Sequence, residues 1–225
     1  LNAITHSDEH IQALQQQCDQ ALESMKKQAG RLTSLRQKAA SVVERQMKEK
    51  LIPLGIPNVQ FKVELTPKEV PDETGTDKIN FLFSANKNGQ LQPISQVASG
   101  GEIARVMLSL KAMISGAVKL PTIIFDEIDT GVSGSIAEKM AHIMQEMGAL
   151  NRQVISITHL PQIAALGSTH YKVYKEDHAE GTSSHIVQLD EKGRVEEIAH
   201  MLSGTTLTDA AINNAKELLN QSYRK

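Results

Sequence analysis

With 225 residues, 40% of them hydrophobic, the chain is long enough for one large or two small domains with a substantial core. A formal net charge of −2 excludes a global pull toward nucleic acid, so any such contact must come from a local patch. The single cysteine, Cys18, excludes an internal disulfide framework.

No stretch approaches the roughly 18 uninterrupted apolar residues of a membrane span, and no signal peptide opens the sequence, so a cytoplasmic setting and no membrane partner are expected. The chain begins at Leu1 without a Met and reads as starting inside an element, as a fragment would.

Residues 8–50 predict one helix of roughly 65 Å at the α-helical rise. Ile11, Cys18, Met25, Leu32 and Ala39 fall at one core position of a heptad, with Leu14, Ala21, Leu35 and Val42 at the other. Beyond Val42 the seam shifts toward Val43, Met47 and Leu51. The expectation is a coiled-coil arm over 1–52 that needs a partner helix, stopped by Pro53, Gly55 and Pro57, with a single lobe over 53–225. Between 26 and 50, eight basic residues (Lys26 through Lys50) face only Glu44 and Glu49. A solvated coiled-coil face accounts for them better than phosphate contact does.

Strict alternation at Val59, Phe61, Val63 and Leu65, and again at Ile79, Phe81, Phe83 and Ala85, predicts an antiparallel pair of half-buried strands around a polar loop from Pro67 to Asp77. Ser99-Gly100-Gly101-Glu102 then opens a helix burying Ile103, Val106, Met107, Leu110 and Ile114 and closing at Gly116. Two glycines let backbone amides approach a ligand, and the unpaired N–H groups of a helix start suit an anion.

The run Thr122-Ile123-Ile124-Phe125-Asp126-Glu127 predicts a fully buried parallel strand whose carboxylates emerge at the ligand edge of an α/β sheet, where they suit Mg²⁺ and an attacking water. A helix over 135–147 follows. A second buried strand over 154–158 ends in His159, and Pro161 opens a short helix ending near Gly167. Two further strands, around 169–175 and 184–189, precede a helix on Val195, Ile198, Ala199 and Leu202 capped by Gly204, and a last helix starts after Thr208.

Taken together, these residues resemble the ABC-type ATPases. Ser99-Gly100-Gly101-Glu102 is similar to their signature motif, Ile123 to Glu127 to the Walker B strand, Asp129 to the D-loop and His159 to the switch histidine. The arm, and the runs from Phe81 to Asn86, Val97 to Glu102, Phe125 to Gly134 and Ile157 to Gln162, resemble more narrowly the SMC-like ATPases of bacterial DNA repair.

The resemblance implies an α/β fold, the C-terminal lobe of an ATPase head with a mostly parallel sheet flanked by helices, carrying a returning coiled-coil helix. It implies ATP and Mg²⁺: Asp126 on the metal and Glu127 on the attacking water. Ser99 and the Gly100 and Gly101 amides would meet the γ-phosphate held by a second head, Glu102 and Asp129 would belong to the same cofactor-binding set, His159 would sense that phosphate, and Asp129 would cross the interface.

Implied partners are the N-terminal lobe of the same protein, a second head joined by ATP, and DNA. No Gly-x-x-x-x-Gly-Lys-[Ser/Thr] loop occurs, so this stretch alone is expected to bind ATP negligibly. The competing reading is a scaffold whose arm binds protein or DNA while the head motifs stay inert. A transporter domain is disfavoured, because those heads lack an arm before the signature lobe.

Overall fold

The computed structural model describes residues 2–97, 99–118, 120–132, 134–149, 152–178, 181–204 and 206–221. Helix α1 (Asn2–Leu51) has 50 residues, which makes it about 75 Å long. Ile11, Leu14, Met25, Leu35 and Val42 of the heptad seam lie exposed along one side, so nothing among the described residues covers that stripe. A second stripe, offset from it, packs inward. Ala29 and Ala40 are buried, and Met47 and Leu51 are completely enclosed with Ile56, Val59, Phe61, Phe83 and Val106. The arm and the lobe therefore share one core from Val43 onward.

Strands β1 (Gln60–Asp72) and β2 (Gly75–Ser84) pair antiparallel from Gln60↔Ser84 to Asp72↔Gly75. The polar loop expected between Pro67 and Asp77 is thus a continued hairpin. Pro67 and Pro71 read as breakers in the sequence, but β1 is an edge of the β1-β2-β3 sheet, where a missing N–H is tolerated, and the register shifts between Pro67 and Asp72. Asp72 Oδ1 accepts the Thr74 N–H at 2.8 Å to close the turn. Gly75 follows with φ 98°, and a Cβ there would sit 3.0 Å from Leu32 Cδ2, so the hairpin tip rests directly on α1.

Thr33 Oγ1 and Arg36 Nη1 both donate to Asp77 Oδ2, at 2.8 and 3.0 Å. The Thr33 hydroxyl first, and then the Arg36 guanidinium, hold the Asp77 carboxyl below its usual 3.8. A depressed carboxyl contributes stability above its unfolded value and loses it as pH falls through the folded one. Asp77→Ala is expected to speed hydrogen exchange along the outer hairpin while leaving the β4 amides unchanged.

A short strand β3 (Gln92–Pro93) and a one-turn helix α2 (Ile94–Val97), neither evident in the sequence, lead to helix α3 (Gly100–Ala117). Gly116 lies inside α3, which ends one residue later at the Val118 cap. Val106 and Leu108 are fully buried, whereas Met107 and Ile114, expected in the core, are exposed.

Strands β4 (Thr122–Asp126) and β5 (Gln153–Ile157) run parallel, from Thr122↔Gln153 to Asp126↔Ile157. Helices α4 (Gly134–Ala149) and α5 (Pro161–Leu166) cover one face of the pair, packing Ala137, Met140, Met144 and Ile163 on Ile123 and Phe125. The other face is bare: Ile124 is 55% and Ile157 52% exposed, with Ile155 also open. The fully buried strands expected here are therefore covered on one side only, because no element among the described residues lies over Ile124, Ile155 and Ile157. The α/β expectation holds, with the parallel portion of this chain confined to β4 and β5 among the described residues.

Strands β6 (Tyr171–His178) and β7 (Gly181–Gln188) form a second hairpin, longer than expected, followed by α6 (Glu191–Ser203) and α7 (Asp209–Gln221). Asp190 caps α6 and Gly204 ends it. Thr208 Oγ1 accepts the Ala211 N–H at 3.2 Å, as expected for a helix starting after it. Ala165, Ile198, Ala199, Ala211 and Ala215 make the third core.

Buried Arg194 donates to the Gly167 carbonyl at 2.8 Å and to that of Ser168 at 3.4 Å, satisfying acceptors at the end of α5. Next to it, burial first and the Arg194 charge second push the His170 imidazole below its ordinary 6.5. The unfolded chain then takes up that proton more readily than the folded one, so stability is full above the unfolded value and declines as pH falls through the folded value. Urea midpoints are expected to drop between about pH 7.5 and about pH 5.5 by more in wild type than in His170→Gln.

Candidate functional site

Three segments meet at the C-terminal end of the parallel pair. Asp126 is the last residue of β4 and registers against Ile157, the last of β5. The Glu127 N–H donates to the Ile157 carbonyl at 3.1 Å, and His159 stands two residues beyond Ile157. The two carboxylates and the imidazole therefore emerge from one sheet end, which is where ligands bind in open α/β sheets. The side chains of Asp126 and Glu127 are exposed and carry no hydrogen bond among the described residues. Unpaired carboxylate oxygens at such an edge are donors of the kind a hard divalent cation takes.

Glu127 has φ 46°, the one left-handed residue other than glycine among the described residues. Its neighbours hold it there: its N–H bonds Ile157, and its carbonyl accepts the Thr130 N–H at 3.4 Å and the Thr130 hydroxyl at 3.0 Å. Such a conformation costs on the order of 1–3 kcal/mol and is met most often where it aims a functional side chain.

Asp129 is 0% exposed in this lobe. Its Oδ2 accepts the Thr158 hydroxyl and the His159 N–H at 3.3 Å, and lies 3.5 Å from His159 Nδ1. The Leu160 N–H in turn donates to Thr158 Oγ1 at 3.0 Å. The His159 side chain remains 68% exposed. Asp129 thus grips the backbone and ring of His159 from below and leaves the ring's far edge facing solvent.

The cap of α3 lies beside this end. Gly100 shares an open groove of about 280 Å³ with Ile103, Met107, Lys111, Asp126 and Glu127. Lys111 Nζ lies 4.8 Å from the centre of the Phe125 ring and donates to the Ile124 carbonyl at 3.2 Å. Ser99 and Gly100 are exposed, and nothing lies within 4 Å of where a Gly100 Cβ would be.

Ser99 and Glu102 form a reciprocal cap. Ser99 Oγ accepts the Glu102 N–H at 3.4 Å, while Glu102 Oε2 accepts the Ser99 N–H at 2.9 Å and the Ser99 hydroxyl at 3.1 Å. The carboxylate of Glu102 is therefore turned onto the helix start, where it caps α3. The Ser-x-x-Glu spacing carries that signal in the sequence. The first-turn amides of Gly100 and Gly101 remain the donors that an α-helix cannot satisfy internally.

Gly101 has a second reason to be glycine. A Cβ would lie 2.9 Å from the Thr130 carbonyl oxygen, a backbone atom of the loop after β4. Gly101→Ala gains up to about 1 kcal/mol of helix propensity but incurs overpacking of about 1–3 kcal/mol. A net loss of stability in urea denaturation is expected, together with displacement of the 128–131 loop.

No protein-family model matches the chain. It is 34% identical over 223 residues to the DNA repair protein RecN of Halalkalibacterium halodurans, covering 97% of this chain and 39% of that protein. The RecN of Bacillus subtilis is 34% identical over 237 residues, covering 99% and 41%, and that of Vibrio cholerae is 34% identical over 214 residues, covering 95% and 38%. The chain thus spans about two-fifths of the length of these curated relatives, matching their C-terminal part.

Among solved structures, it is similar to an Smc head domain with a coiled coil and joint from Pyrococcus yayanosii, with a TM-score of 0.56 at 20% identity over 75% of this chain and 30% of the other. It is also similar to a chain from a structural study of ATP-driven dimerization and DNA-stimulated activation of SMC ATPases. There the TM-score is 0.51 at 17% identity, over 77% of this chain and 99% of the other. These likenesses establish an SMC-head fold.

Proposed function

We infer that the chain belongs to the RecN family, as the C-terminal part of an SMC-like head with its returning arm, and we propose that the complete protein hydrolyses ATP in the repair of DNA double-strand breaks. The observation that carries this reading is the meeting of Asp126, Glu127 and the Asp129-held His159 at one sheet end, beside an outward-facing Ser99–Gly100 cap.

The residues divide the work by chemistry. Asp126, exposed and unpaired, would hold Mg²⁺, which when bound supplies charge neutralisation at the phosphates. Glu127 would orient the attacking water and take its proton. His159 would bond a phosphate oxygen, kept in place by Asp129. Ser99 and the Gly100 and Gly101 amides would stabilise negative charge on a γ-phosphate bound by a second head.

The bare face of β4 and β5, with Met107 and Ile114, fits a missing neighbour. About three-fifths of a RecN-like protein lies outside this chain, and we assign the cover of Ile124, Ile155 and Ile157 to its N-terminal lobe, which would also bring the phosphate loop. The exposed seam of α1 would pair with the outgoing arm. DNA would be a ligand of the assembled protein, acting in the bacterial cytoplasm; no helix among the described residues is long and apolar enough to cross a membrane.

Gly100→Asp in the full-length protein tests this reading. The open space at Gly100 admits the side chain, and a carboxylate at a helix start does not harm the helix. ATP binding to the isolated head is expected to persist, while ATP-driven head association, followed by light scattering, is lost through repulsion of the incoming phosphate. Unchanged association would remove the cap from the interface, and absence of ATP turnover by the wild-type protein would leave the scaffold reading in its place.

A further inference from the structure

The β6–β7 hairpin carries a cluster that the nucleotide chemistry does not use. Alternation and register place Tyr174, Glu176 and His178 of β6 on the same face as His185 of β7, with Tyr174 opposite His185 and Glu176 opposite Ser183. Ligand atoms of Glu176, His178 and His185 all lie within 4.8 Å of one another. His185 Nε2 is 3.4 Å and His178 Nε2 4.0 Å from the same oxygen, Glu176 Oε2.

The His185 ring stacks on Tyr174, with centroids 5.2 Å apart and planes at 23°, which fixes the direction of its Nε2. That nitrogen is closed off from solvent and makes no well-aligned hydrogen bond among the described residues, its polar neighbour being Glu176 Oε2. A cation between the three groups would give that nitrogen the directed partner that the misaligned carboxylate does not.

We propose that Glu176, His178 and His185 form a site for a late first-row divalent ion of the Zn²⁺ class. Two imidazoles and one carboxylate are the donor set such ions take, leaving a fourth position for water, whereas Mg²⁺ and Ca²⁺ take oxygen donors. Tetrahedral coordination at Zn–N and Zn–O lengths near 2 Å sets neighbouring donors about 3.3 Å apart. The 3.4 Å pair is already there. The side chains of Glu176 and His178, 56% and 50% exposed, have the freedom to close the rest. The ion would join the two strands near the tip of the hairpin.

Titration calorimetry of Zn²⁺ into chelator-stripped full-length protein tests the proposal, with His178→Ala/His185→Ala and Glu176→Gln variants alongside. Wild type is expected to bind one equivalent more than the double variant, Glu176→Gln to bind that equivalent more weakly, and millimolar Mg²⁺ not to displace it. Co²⁺ loaded into wild type is expected to show the intense visible bands of tetrahedral coordination, a readout that does not depend on how the variants fold. Equal stoichiometry in wild type and double variant, or no saturable Zn²⁺ binding and no tetrahedral Co²⁺ spectrum in wild type, would overturn it.

Discussion

Glu127→Gln in the full-length protein is expected to retain ATP-driven head association and to lose turnover by about 10²–10⁴-fold, the usual contribution of a positioned general base. The amide matches the carboxylate in shape and keeps an acceptor oxygen, so a water can still be oriented, but it cannot take the proton. The backbone does not distinguish the two. Glu127 is held at φ 46° by main-chain bonds to Ile157 and Thr130, and glutamine meets the same constraint at the same strain. Stability should therefore be near wild type, separating chemistry from folding. Wild-type turnover in this variant would exclude Glu127 as the base.

The second large effect is expected at Asp129. Removing its carboxylate in Asp129→Ala leaves the Thr158 hydroxyl and the His159 amide without their acceptor and opens a void at a site with no solvent access. Unsatisfied buried donors and a cavity together place the loss on the order of 3 kcal/mol. Asp129→Asn keeps an acceptor oxygen and the volume but removes the charge beside His159 Nδ1. It is expected to fold with most of that stability and to hydrolyse ATP slowly, with nucleotide-driven association intact. A pair of variants that both fold and turn over like wild type would show that Asp129 positions nothing.

Much of the lobe was legible because local chemistry and tertiary packing agree there. Pro161 at the start of α5, Gly204 at the end of α6, Thr208 before α7 and the seam shift to Met47 and Leu51 all follow from patterns that packing preserves. The outer part of the first hairpin was not legible, since Pro67 and Pro71 break a central strand but not an edge.

The half-bare sheet was hidden for a different reason. An apolar run such as Ile123-Ile124-Phe125 states that both faces seek cover, and the described residues supply cover for only one. Met107 and Ile114 follow the same logic, being apolar at helical spacing on a face the described residues leave open.

At the site, spacing alone brought Asp126, Glu127 and His159 to one sheet end, because parallel strands of equal length with their acidic or basic residues just past the last pair must do so. Spacing could not reveal that Asp129 folds under His159 rather than outward. That depends on the turn from Glu127 to Val132, where the Thr130 and Val132 amides bond back to the Glu127 and Asp129 carbonyls. The cluster on β6 and β7 left a faint trace, Glu176-x-His178 followed by His185, which becomes a constellation only once the hairpin register is known.

The most direct measurement is ATP turnover in an equimolar mixture of two inactive full-length variants, Glu127→Gln and Gly100→Asp. If the cap of one head serves the catalytic carboxylate of the other, each mixed pair regains one complete site of two. Pairs of two Gly100→Asp heads do not form and a mixed pair keeps one intact interface, so activity is expected to rise well above that of either variant, toward a ceiling of about half of wild type if every pair is mixed. Turnover no greater than the mean of the separate variants would contradict a site built across two molecules.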